Sequence, residues 1–153
     1  MPEKETIERA REDAREGKSP STQAGEFVRE EMHHIREGKH GARSTKQAIA
    51  IGLSKTRRAG VKLNAPMPET SSSQVRRKAQ QDLAKGEAGR SHPSKTRSRA
   101  TTRALKREEG HSAATKKSLG LQAHAAANAR TASSRRKSAR KAVRTKARLK
   151  SHR

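Results

Sequence analysis

Cysteine is absent from this chain, which excludes disulfides and thiolate-bound metals. Tryptophan and tyrosine are absent too, and Phe27 is the sole phenylalanine. Modules that hold single strands stack bases on aromatic platforms, so that mode has only arginine to work with here. Long apolar runs are missing as well. The longest, residues 48–53, has six residues, against the roughly twenty needed to cross a bilayer. The N-terminus is charged from Glu3 onward with no apolar stretch of the secretory kind, so a soluble, cytoplasmic protein is expected. Large aliphatic and aromatic side chains are scarce: Leu, Ile, Val and Phe together make 16 of 153 residues. So little apolar surface, combined with high net charge, predicts that most of the chain cannot offset the entropy of ordering itself.

Acidic residues are also in short supply, and unevenly so. Against 38 Lys and Arg stand 15 Asp and Glu, a net charge of +23. Residues 1–70 carry 14 basic and 11 acidic residues, whereas residues 71–153 carry 24 and 4. After Glu109 there is no carboxylate side chain at all. Charge of this sign and size attracts polyanions, and nucleic acid is the foremost of these.

The larger apolar residues lie mostly in the first half. Residues 2–17 read as a charged helix with Ile7, Ala10 and Ala14 to bury, ended by Gly17 and a Ser19-Pro20-Ser21 break. From Thr22 to Glu37, Ala24, Phe27, Val28, Met32 and Ile35 fall on one helical stripe. Gly38 stops that helix. Ser44, with Gln47 three residues on, resembles a capping box opening a third helix that Gly60 closes. The expected fold is therefore mainly α: a small αα-hairpin module followed by a largely disordered, helix-capable cationic C-terminal tail. The divisions are a charged N-terminal helix (1–19), the hairpin (20–65), a linker (66–72) and a basic Ala/Lys/Arg-rich low-complexity tail (73–153). Helix-capable stretches within the tail are 73–85, 95–109, 112–119, 121–131 and 134–150. So small a hairpin is marginal alone, and a homodimer through it is one way to complete its core.

Two sets of residues carry binding chemistry. The first is the acid-free tail, with Lys116, Lys117, Arg130, Arg135, Arg136, Lys137, Arg140, Lys141, Arg144, Lys146, Arg148 and Lys150 against the phosphate backbone. Lys137, Arg140, Lys141, Arg144 and Arg148 share one helical face, where mutual repulsion weakens a helix until phosphates relieve it. The second set is a polar face of the third helix, Lys46, Gln47, Ser54, Arg57 and Arg58, which resembles the second helix of a helix-turn-helix. Glu31 intrudes on an apolar stripe and needs a partner, for which Lys46, Arg43 or Arg57 are at hand. His33, His34 and His40, with Glu30 and Glu37 nearby, are the candidates for metal binding. Without cysteine or a His-x-x-x-His pair they are set aside as exposed residues near a turn, and neither metal nor cofactor is expected. No nucleophile elbow or phosphate loop is present, and no catalytic residue is assigned.

Residues 24–63, AGEFVREEMHHIREGKHGARSTKQAIAIGLSKTRRAGVKL, resemble a family of small basic bacterial proteins classed as a domain of unknown function. The likeness extends to the opening Glu/Arg helix, the Ser-Pro-Ser-Thr break and the tail segment SRATTRALKREEG, and is specific over residues 20–63. Some relatives are labelled DNA-binding or plasmid stabilisation proteins, so the resemblance implies that kind of role and no catalytic residues. The tail resembles linker-histone tails in composition.

Together these features predict a histone-like, nucleoid-associated protein that binds nucleic acid without sequence specificity, favouring duplex DNA over RNA, with an RNA- or ribosome-associated protein and an adaptor that binds a partner protein through its hairpin as the alternatives. A small-molecule substrate is not expected. A membrane surface is disfavoured because the tail's apolar residues are mostly alanine, which inserts poorly.

Overall fold

The computed structural model describes residues 2–89, 94–108 and 110–151, the side chains of 149–151 excepted. Among them are seven α-helices and no strand: α1 (Lys4–Arg15), α2 (Pro20–Arg36), α3 (Thr45–Arg58), α4 (Ser73–Glu87), α5 (Lys95–Arg107), α6 (Lys116–Asn128) and α7 (Ala132–Ser151). Short 3₁₀ turns lie at Pro68–Thr70 and His111–Ala114. Two compact units divide the chain, Met1–Thr115 and Lys116–Arg153.

Local signals explain the helix boundaries. Pro20 does not break the chain but opens α2, where its missing N–H costs nothing, with Ser19 as N-cap. At the other end Gly38 takes φ of +71°, a conformation that other side chains strain to adopt. The turn it makes lets Lys39 N–H donate to His34 O (2.9 Å) and Gly38 N–H to Ile35 O (3.2 Å), satisfying two terminal carbonyls. Ser44 caps α3 by accepting from Gln47 N–H at 3.2 Å. Gln47 Oε1 reciprocates on Arg43 N–H at 2.8 Å, one residue earlier than in a standard capping box.

The core of the first unit is built mostly from alanine. Its buried apolar residues are Ala10, Ala24, Phe27, Met32, Ile35, Ala42, Ala48, Ala79, Ala113 and Ala114. Side chains this small let helix backbones approach closely. A Cβ on Gly52 would lie 2.8 Å from Val28 Cα, which marks where α3 crosses α2. One on Gly86 would collide with Arg57 O, so α4 presses on α3 just as tightly. Helix α1 packs on α2, burying Thr6 and Ala10 while Ile7 stays half-buried and Ala14 exposed. The turn 111–114 packs against α2 and α3. Ala113 O accepts from Thr45 Oγ1 (2.7 Å), Ala114 O accepts from Arg36 Nε (2.9 Å), and His111 Nδ1 meets Ile35 O at 2.8 Å.

The expectation of a largely disordered tail is overturned. Most described residues after 72 are helical, and those up to Thr115 join the same compact unit as the hairpin. Counting large apolar residues misjudged this region because it left alanine out. Alanine is the strongest helix former, and it suffices as core where helices approach this closely. Capping contributes too: Ser134 N–H donates to Thr131 Oγ1 at 3.2 Å, opening α7. The stretches 112–119 and 121–131 were expected as separate helices, yet α6 runs through Gly120 without a break.

Candidate nucleic-acid interface and a buried polar cluster

In the second unit, α7 spans 20 residues, about 30 Å at 1.5 Å per residue. Arg135, Arg136, Lys137, Arg140, Lys141, Arg144, Lys146 and Arg148 are all exposed on it. Lys116 and Lys117 stand exposed at the start of α6, and Arg130 is exposed between the two helices. The side chain of Lys150 lies outside the described residues. In the first unit, α5 carries Lys95, Arg97, Arg99, Arg103, Lys106 and Arg107, again all exposed and with no acid among them. These six belong with the tail set chemically, and attention to the region beyond Glu109 alone passed over them.

The polar face expected on α3 is not one open surface. Lys46 is exposed, but Gln47 is held by its capping role. Ser54 Oγ donates to Asp82 Oδ2 on α4 at 2.6 Å, and Asp82, 1% exposed, also receives Lys78 Nζ at 3.1 Å. Arg57 is 7% exposed. Its guanidinium donates to the carbonyls of Leu63 (3.1 Å), Asn64 (3.2 Å) and Leu53 (3.4 Å). Burial pushes the Arg57 pKa down, with Asp82 opposing. Arg58 is half-buried, its Nε shielded without a hydrogen-bond partner. The face is divided because α4 and residues 61–64 cover its middle.

A second polar cluster sits where α1, α2 and α3 meet. Glu30 and Glu31, consecutive on α2, are both buried. Glu30 accepts from Glu3 N–H (3.0 Å) and Lys55 Nζ (3.1 Å). Glu31, fully buried, has Lys55 Nζ 2.7 Å from one oxygen and His40 Nε2 3.3 Å from the other. Neither contact is aligned as a hydrogen bond. The partners expected for Glu31 were Lys46, Arg43 or Arg57. Lys55 takes that role because Arg57 points toward residues 61–64 instead, and Lys46 and Arg43 are exposed.

Glu31 and His34 are three residues apart and share a face of α2. The Gly38 turn then brings His40 back over them, so the rings of His34 and His40 meet edge to face at 5.8 Å between centroids. His34 Nε2 contacts Glu3 Oε1 at 2.9 Å, and His40 Nδ1 contacts Gly41 O at 3.1 Å. Lys39 Nζ also reaches Glu3 Oε1, at 3.2 Å. His34 first, then Lys39, hold the Glu3 carboxyl below its ordinary pKa. Potential ligand atoms of Glu31, His34 and His40 lie within 4.8 Å of one another. His33, next to His34, is exposed. The sequence signal for this trio was the Glu-x-x-His spacing on one helix face, which a search for His-His pairs overlooks.

Among the described residues no helix is long and apolar enough to cross a membrane. No curated protein and no solved structure matches the chain. Residues 15–66, the stretch that builds α2, α3 and the turn between them, match a family described as of unknown function, DUF6496.

Proposed function

We propose that this protein binds nucleic acid through phosphate-backbone contacts of its cationic helices, without sequence specificity and with duplex DNA favoured, as a nucleoid-associated protein. One observation carries the reading: α5 and α7 hold fourteen exposed Lys and Arg side chains on helices that contain no acidic residue. Like charges so placed repel one another, and a polyanion alongside relieves that repulsion while releasing its condensed counterions. The covering of Ser54 by α4 and the capture of Arg57 by Leu63 and Asn64 support backbone contact over base readout, since a base-reading helix needs its polar face open. Catalysis has no part in this role.

The test is salt-dependent binding of the full chain to a duplex of about thirty base pairs, long enough for several such contacts. The expected wild-type result is an affinity falling by about 10³–10⁵ between 50 and 200 mM salt if six to ten phosphates are neutralised. The variant K137Q/R140Q/K141Q/R144Q should lower the magnitude of the log–log slope by about 3 to 4. An unchanged slope would remove α7 from the interface. Competition with structured RNA of equal length separates a DNA preference from a general one.

A further inference from the structure

We propose that Glu31, His34 and His40 form a binding site for a divalent transition-metal ion of the zinc class, which clips the α2–α3 connection to α2. Charge is the first argument. Two buried carboxylates, Glu30 and Glu31, reach one ammonium, that of Lys55. Glu30 also accepts a main-chain N–H, whereas Glu31 has no aligned hydrogen bond on either oxygen. A buried carboxylate left in that condition is costly, and a cation against it removes the cost.

The donor set is the second argument. Two imidazoles and one carboxylate suit zinc and its first-row neighbours, and three protein ligands leave a fourth position for water or an external ligand. Ligand atoms within 4.8 Å of one another are close enough to converge on one ion after small side-chain movements.

The surroundings of each imidazole are the third. An oxygen acceptor faces one nitrogen of each ring, Glu3 Oε1 on His34 Nε2 and Gly41 O on His40 Nδ1. That arrangement places N–H toward the acceptor and the lone pair on the other nitrogen, as outer partners do for metal-ligating histidines. For His40 the other nitrogen is Nε2, which then directs its lone pair at Glu31 Oε1 across 3.3 Å. Two acceptors facing each other in a shielded position call for a cation. Lys55 can remain on Glu30 when the ion takes Glu31.

The test uses the full-length chain stripped by chelator, without nucleic acid, titrated calorimetrically with Zn²⁺ and spectroscopically with Co²⁺. Wild type should take up one ion per chain and show the visible bands of Co²⁺ bound by nitrogen and oxygen. H34A and H40A should each weaken uptake by at least about tenfold, the lower bound seen even for outer-shell losses. H33A, altering the exposed neighbour, should bind as wild type. The wild-type cobalt spectrum needs no variant to fold. Absence of stoichiometric uptake, or equal uptake by the H34A/H40A double variant, would overturn the site and leave an ordinary cluster of charged side chains.

Discussion

Gly52 illustrates how much single positions decide here. Its missing side chain is the space in which Val28 backbone sits, and backbone cannot step aside as a flexible side-chain end can. Gly52→Ala should therefore cost about 1–3 kcal/mol, the usual range for overpacking, although alanine is the better helix former in isolation. Chemical denaturation would check it; a stabilised Gly52→Ala variant would mean that α2 and α3 do not cross there. Arg57 carries the opposite lesson. As a sequence letter it is a surface cation on a polar helix face. Two carbonyls of the chain that follows, Leu63 and Asn64, capture its guanidinium together with Leu53 O one turn back, and nothing in helical periodicity announces that capture.

At the scale of elements, the turn 111–114 does more than its length suggests. Two alanines and two carbonyls tie it to α2 and α3 from about seventy residues further along the chain. Ala114→Asp should place an unpaired charge where a methyl group is fully buried, lowering Tm and exposing the segment between α5 and α6 to proteolysis. Unchanged cleavage in that segment would show that the turn is not seated. The hairpin itself was legible in advance, because the stripe through Phe27, Met32 and Ile35, the Gly38 stop and the Ser44 cap are local signals. The packing of α4, whose helix was expected at 73–85, and the 111–114 turn were not. Their contacts rest on Ala79, Gly86, Ala113 and Ala114, whose burial depends on a distant partner and leaves no periodic trace. The candidate phosphate-binding cations were legible by charge alone. The Glu31–His34–His40 trio required knowing where the chain goes after Gly38.

For the whole molecule, the division at Thr115 separates two kinds of stability. The first unit has helices packed on one another, while the described side chains of α7 after Ser134 are all exposed, Val143 at 69%. A helix that buries so few side chains relies mainly on propensity, whereas most helical stability in proteins comes from tertiary packing of an apolar face. Hydrogen exchange should accordingly find amides of residues 116–151 opening far more readily than those of α2 and α3, with protection rising when duplex DNA is added. Equal protection in both units without ligand would contradict this. The alanine core of the first unit has a further effect on how the protein tolerates change. In a core of leucines most substitutions subtract volume, leave cavities and are graded in severity. Where seven of the ten buried apolar residues among those described are alanine, almost every replacement of an alanine adds volume instead, and glycine is the one that does not. The mutational record of such a core should be lopsided: serine and glycine admitted at modest loss, and bulkier residues, apolar ones included, excluded by shape.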